Sequence, residues 1–198
     1  NDLDDDVMIF EKYYETVCEN SDGKFQNVRF DSHHYTKHGL RGNFIDFDND
    51  GDQDIIVDRI AEGYKEVFRN DGKYFNQTWD HVLTGPLDFK PSEQWADINS
   101  DGFTDFANTG WYPGTAFMNN TNGNNWIKIR LQGNASNYDG IGAIIKLRTS
   151  GENPFWQKQQ ITAENALSSL FGLRDALIDS IIVEWPSHCV TKIGKISE

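Results

Sequence analysis

Hydrophobic and polar positions alternate with a period of two in several short stretches of this chain, and helical periodicity is poor almost everywhere. The cleanest alternation is Trp126-Ile-Lys-Ile-Arg-Leu131. Ile141-Gly-Ala-Ile-Ile-Lys-Leu147 and Ile178-Asp-Ser-Ile-Ile-Val-Glu-Trp185 are β-branched runs bounded by Gly, Asn, Asp and Pro, which predicts further strands. Three shorter apolar runs, Val7-Met8-Ile9-Phe10, Ile55-Ile56-Val57 and Phe106-Ala107, each follow an aspartate. Thr162 to Leu170 offers a short helix as an alternative, but its Ser168-Ser169 interior disfavours it. The pattern predicts an all-β chain.

The apolar runs belong to an internal repeat. When Asp46 is aligned with Asp97, the flanks fall into register: an acidic stretch, a glycine, a closing aspartate, then the apolar run. Before each acidic stretch stands an Asp-Gly-Lys turn with a Phe, Asp22-Gly23-Lys24-Phe25 and Asp71-Gly72-Lys73-Tyr74-Phe75. The period of about fifty residues is that of propeller blades, in which each repeat is one small antiparallel sheet. Asp2, Asp4 and Asp6 before Val7 read either as the back half of a third acidic loop, with Leu3 in the glycine's place, or as a solvated acidic terminus. The repeat pattern ends near Asn124. The expectation is therefore a partial propeller of about two blades plus a remnant over residues 1–124, followed by a small β-sandwich-like domain over residues 125–198.

Each acidic stretch has the form D-x-[DN]-x-D-G-x-x-D. Calcium takes six to eight oxygen ligands at about 2.3–2.6 Å, and alternate residues of a tight loop can supply them. In the first loop the expected ligands are Asp46, Asp48, Asp50, the carbonyl of Asp52, and Asp54. In the second they are Asp97, Asn99, Asp101, the carbonyl of Phe103, and Asp105. Gly51 and Gly102 permit the sharp turn at the sixth position. Neither loop is an EF-hand, because the twelfth position is Val57 or Asn108 instead of a bidentate Glu, and the flanks are strand-like. Five carboxylates within the nine residues of the first loop repel one another unless a cation is present. Magnesium, which keeps its waters and demands a smaller octahedral cage, fits less well. Two bound Ca2+ ions are the expectation, one per loop.

Composition narrows the function classes. Eighteen basic against 31 acidic residues leave a net charge of −13, which disfavours nucleic acid and anionic membrane as partners. Aromatic residues at 13% indicate a folded chain. No apolar run reaches the length of a membrane span. The chain opens at Asn1, which is read as a processed chain or fragment. Cys18 and Cys189 are compatible with one disulfide or with two thiols. N-x-S/T sequons at Asn76, Asn119 and Asn134 point towards a secretory compartment.

The two loops, with the Asn70-Asp71-Gly72-Lys73-Tyr74-Phe75 spacer, resemble FG-GAP/VCBS repeats, the calcium-loop blades of integrin-type propellers. The segment from Asn125 to Glu198 resembles the ASPIC/UnbV domain that follows such repeats in cartilage acidic protein-like chains. The residues carrying this are Asn125-Trp-Ile-Lys-Ile-Arg-Leu131, Gly133-Asn134, Gly140-Ile-Gly-Ala143, Phe171-Gly-Leu173 and Val183-Glu-Trp-Pro186. Two positions depart from the family pattern: His188 and Arg174 stand where glycines are usual, so His188 would have to accept a positive φ. The resemblance implies an extracellular adhesion, matrix or assembly protein and names no substrate.

Other constellations carry less. His34 and His38 have metal-ligand spacing, together with His33, but in a loop without helix signal. Ser168 and Ser169 sit in no nucleophile elbow, the cysteines in no CxxC, and no glycine-rich phosphate loop occurs. The expectation is a non-catalytic structural or interaction module with a protein partner, or the remainder of a longer precursor, at its open sheet edges. The alternative is a calcium-dependent glycan-binding protein using Trp111-Tyr112-Pro113-Gly114. Against it, Trp79, Trp95, Trp111 and Tyr112 also suit packing within or between blades.

Overall fold

The computed structural model describes residues 3–10, 15–29, 39–59, 64–70, 75–84, 92–109, 115–120, 123–134, 137–163 and 167–196. Every regular element among them is a β-strand, in agreement with the period-two pattern. The acidic repeats form three antiparallel sheets. The middle sheet is complete, in the order β4 (Gly39–Ile45), β5 (Asp54–Arg59), β6 (Tyr64–Asn70) and β7 (Phe75–Thr84). The first contains β1 (Val7–Phe10), β2 (Glu15–Ser21) and β3 (Lys24–Arg29), with β2 and β3 joined through a two-residue turn at Asp22 and Gly23. Both turn residues have positive φ, 53° and 77°, the hairpin geometry that suits the strand twist. The third contains β8 (Ser92–Ala96), β9 (Asp105–Thr109) and β10 (Thr115–Phe117).

Strand β5 shows why these sheets pack together. Its run Ile55-Ile56-Val57 is fully buried because side chains alternate between two faces that are both covered. Ile55 and Val57 join Val17, Phe68, Met8 and Phe44, so the first sheet lies against one face. Ile56 joins Val67, Phe47, Ile45 and Trp95, so the third sheet lies against the other. Each such aliphatic side chain contributes roughly 1.5–3 kcal/mol by leaving water. Between the middle and third sheets, Lys65 is almost fully buried, with its ammonium 4.6 Å from the Phe106 ring centroid and 5.6 Å from that of Trp95. Trp95 packs on Phe106, its partner across β8 and β9, with centroids 4.7 Å apart, and against Ile56 and Val67 of the middle sheet, which assigns this tryptophan to packing.

The C-terminal part is made of two further sheets over one core. β11 (Asn125–Arg130) pairs with β14 (Ser168–Arg174), and the second sheet runs β13 (Trp156–Gln160), β12 (Ile144–Thr149), β15 (Ile178–Glu184), β16 (Val190–Ile193). Ile127 and Ile129 pack against a buried cluster that includes Ile145, Leu147, Phe171, Leu173, Ile181 and Val183. The two sheets thus share one buried cluster. The helical alternative at Thr162 to Leu170 does not form: Ser168–Leu170 lie in β14, where Arg130, Ile129 and Lys128 are their register partners and Ser169 is buried. His188 has φ 63° and Arg174 φ 54°, so both accept the left-handed conformation where the family pattern places glycine.

Cys18 is buried in β2 and Cys189 is exposed before β16, with no disulfide joining them. Among the described residues, no sheet closes into a barrel and no helix is long and apolar enough to cross a membrane.

Candidate metal centre

The two acidic loops are built alike. The first joins β4 to β5 and the second joins β8 to β9. Asn49 and Ser100, at the fourth position, have φ 58° and 63°; Gly51 and Gly102, at the sixth, have φ 86° and 90°. The fifth-position carboxylates hold the seventh-position N–H groups: Asp52 N donates to Asp50 Oδ1 at 2.9 Å, and Phe103 N to Asp101 Oδ1 at 2.9 Å.

The closing aspartates bracket each sheet. Asp54 accepts from Phe47 N at 2.9 Å and from Asn70 N at 2.8 Å. Asp105 accepts from Ile98 N at 2.8 Å and from Asn119 N at 2.7 Å. Asp6 accepts from Asn20 N at 2.8 Å in the same way, and Leu3 adopts φ 74° in the glycine's place. The acidic terminus thus repeats one hydrogen bond of the bracket and the positive-φ position of the two loops. The recurrence of Asn20, Asn70 and Asn119, 14, 16 and 14 residues after these aspartates, was the available sequence signal for the bracket.

The first loop draws three carboxylates together. Oxygens of Asp46, Asp48 and Asp50 lie within 4.8 Å of one another. Asp46 Oδ2 accepts from Gly51 N at 3.0 Å and Asp48 Oδ2 lies 3.3 Å from Arg69 Nη1, while Asp46 Oδ1 and Asp48 Oδ1 are buried without a hydrogen-bond partner. Burial in this crowd of like charges opposes ionisation. Desolvation, then Asp50 and Asp54, push the Asp46 carboxyl up to about 8. Desolvation raises Asp54 to about 7 and also raises Asp50. A divalent cation would satisfy both orphaned oxygens and remove the repulsion, so the residues present fit a hard cation.

The second loop differs. Asp97 is 2% exposed, its Oδ1 is buried without a partner, and its Oδ2 is held by Lys128 Nζ at 2.7 Å. Asn99 Nδ2 donates to Asp101 Oδ2 at 2.7 Å, and Asn99 Oδ1 accepts from Asp101 N at 3.0 Å.

Sequence reasoning treated the loops as isolated sites, whereas the C-terminal sandwich covers them. The outer face of the β11–β14 sheet presents Trp126, Lys128, Gly172 and Arg174, which alternate with core-facing Ile127, Ile129, Phe171 and Leu173. A Cβ on Gly51 would overlap Phe155, one on Gly102 would overlap Trp126, and one on Gly172 would overlap Asp46 Oδ2 and the Asn49 backbone. Each acidic segment also meets one cation from this sandwich. Arg174 binds the Asp50 carbonyl and lies 2.8 Å from Asp52 Oδ2. Lys128 binds Asp97, and Lys158 Nζ meets the Leu3 carbonyl at 2.6 Å and Asp5 Oδ1 at 2.7 Å. Asn124 Nδ2 and Asn49 Nδ2 complete the joint on the carbonyls of Asp48 and Gly102, at 2.8 and 2.9 Å.

His33, His34, His38, Trp111, Tyr112 and the side chain of Trp79 lie outside the described residues. Of the sequons, Asn134 is exposed, whereas Asn119 is buried with Nδ2 donating to the Phe47 carbonyl at 2.8 Å, a contact that a glycan would abolish.

Residues 133–197 match the family model described as ASPIC and UnbV. The match covers strands β12 to β16 and stops short of the acidic loops. No curated protein matches the chain.

Proposed function

We propose that this chain is a non-catalytic, calcium-stabilised structural and interaction module of the extracellular or secretory space, in which FG-GAP/VCBS-type repeats of a partial propeller carry an ASPIC/UnbV domain. The observation that carries the reading is the pair of buried, unpartnered oxygens on Asp46 and Asp48, with Asp50 drawn into the same 4.8 Å cluster. Asp46, Asp48 and Asp50 would hold the ion at the first loop, and Asp97, Asn99 and Asp101 at the second. Calcium would supply positive charge, with no reacting group. Gly51, Gly172 and Arg174 keep the loop pressed against the sandwich, so an ion at the loop rigidifies the joint between the repeats and the ASPIC/UnbV part.

The partner surface of this reading is the first sheet. Val7 and Ile9 are 44% and 43% exposed, whereas their repeat counterparts Ile55 and Val57 are fully buried. Among the described residues β1 is an edge strand of this sheet, and an edge strand can recruit a further strand. A protein segment carrying such a strand is the partner proposed.

Thermal melting in excess calcium, excess magnesium and excess chelator tests the reading. Calcium at one hundred times its dissociation constant adds about 2.7 kcal/mol to stability, or roughly 5–10 °C for a chain of this size. Magnesium should give a smaller shift. Identical melts in calcium and chelator would sink the proposal.

A further inference from the structure

Lys128 distinguishes the two loops. It projects from β11 to place its ammonium 2.7 Å from Asp97 Oδ2, the first-position carboxylate of the second loop. The Asp97 side chain is 2% exposed and that of Lys128 36%, so the carboxylate is shielded from water while the ammonium keeps contact with it. The first loop has five carboxylates (Asp46, Asp48, Asp50, Asp52, Asp54) with two guanidinium groups nearby, Arg69 and Arg174. The second has three (Asp97, Asp101, Asp105) with Lys128. With every carboxylate ionised, as a bound cation would hold them, the balance is three net negative charges against two. The cations are also placed differently. Arg174 approaches Asp52 most closely, a residue whose expected contribution to the ion is its carbonyl, whereas Lys128 sits on an expected ligand itself. The first loop has two orphaned buried oxygens and the second has one.

We infer that Lys128 is a tethered competitor of the metal at the second loop, so that the first loop is the high-affinity calcium site and the second fills only at higher calcium, as Lys128 is displaced from Asp97. This rests on the calcium reading of the loops. It adds a graded response: low calcium orders the Asp46–Asp54 loop, and higher calcium releases a contact between β11 and the third sheet. A charge-assisted hydrogen bond of this kind corresponds to a roughly 10- to 100-fold effect on a competing equilibrium.

Calorimetric titration of the metal-free chain with CaCl2 tests it. The native chain should show a tight phase, abolished by Asp50→Ala, and a weak phase, abolished by Asp101→Ala. Lys128→Met should tighten the weak phase by roughly 10- to 100-fold and leave the tight phase unchanged. Lys128→Arg, which keeps a cation there, should retain a weak second phase. The Lys128 side chain is 36% exposed, so these substitutions leave the core untouched. Equal affinities in the native chain, or a weak phase moved less than twofold by Lys128→Met, would overturn the inference and leave the calcium reading standing. Heatless titrations of every variant, with no calcium retained on equilibrium dialysis, would overturn both.

Discussion

Gly172→Ala probes the joint between the sandwich and the first acidic loop. The added Cβ would overlap Asp46 Oδ2 and the Cα and carbonyl carbon of Asn49. None of these atoms is the loose end of a flexible side chain. Asn49 is 1% exposed, its carbonyl accepts from Arg174 N at 3.1 Å, and its amide bonds Gly102 O at 2.9 Å. Asp46 Oδ2 is held by Gly51 N at 3.0 Å. The loop must therefore move as a unit, at an overpacking cost of about 1–3 kcal/mol. Losing or stretching one hydrogen bond to Arg174 adds about 1 kcal/mol, and the reduced freedom of the unfolded chain returns about 0.4–1 kcal/mol. The net loss is about 1–3.5 kcal/mol, or roughly 2–14 °C in melting temperature. Differential scanning calorimetry in calcium measures it, with Gly194→Ala as control, since a Cβ there meets nothing within 4 Å. The same variant should bind calcium more weakly at the first loop, because Asp46 is displaced. If Gly172→Ala melts together with the control, β14 does not press on the loop and the joint as described is wrong.

Further outcomes follow from the same geometry. Asp46 and Asp54, raised to about 8 and about 7 in the metal-free fold against an ordinary carboxylate value of 3.8, make protons stabilising. Their contribution is complete below the unfolded value and is lost as pH rises towards 7 to 8. The melting-temperature gap between calcium and chelator should therefore widen from pH 5 to pH 8, and a gap independent of pH would refute this. Lys65→Ala should cost about 2–4 kcal/mol by emptying the space over the Trp95 and Phe106 rings, read by urea denaturation. Cys189 should react with a thiol reagent in the native chain and Cys18 only after unfolding; a single unreactive pair in denaturant would mean a disulfide instead. Sedimentation of the isolated chain in calcium should show self-association through the open β1 edge, relieved by Val7→Lys with Ile9→Lys; a monomer at every concentration would count against that edge as the partner surface.

What the sequence disclosed was local in range. Alternation over Trp126–Leu131 set which residues of β11 face the core, and Gly51 and Gly102 announced the left-handed turns that both loops adopt. His188 was recognisable as a positive-φ position because a glycine is usual there, whereas Arg174 read only as a departure from the pattern. The joint was hidden because its contacts are remote along the chain, such as Arg174 with Asp52, 122 residues apart. Gly172 read as a family motif, and its reason, the approach of an aspartate from another sheet, has no local signature. The burial of Lys65 has no local signature, because it depends on aromatics from the third sheet. The Ser168-Ser169 pair was ambiguous for the same reason: pairing with β11 decides its conformation, not its own propensity.

The central claim, that the first acidic loop holds calcium between the repeats and the sandwich, is tested most directly by amide hydrogen exchange of the full chain with and without calcium. Calcium should slow exchange most at residues 46–54, including the amides of Gly51 and Asp52 that Asp46 and Asp50 hold, and in β14 where Arg174 N meets Asn49. Unchanged exchange over residues 46–54 at saturating calcium would contradict it.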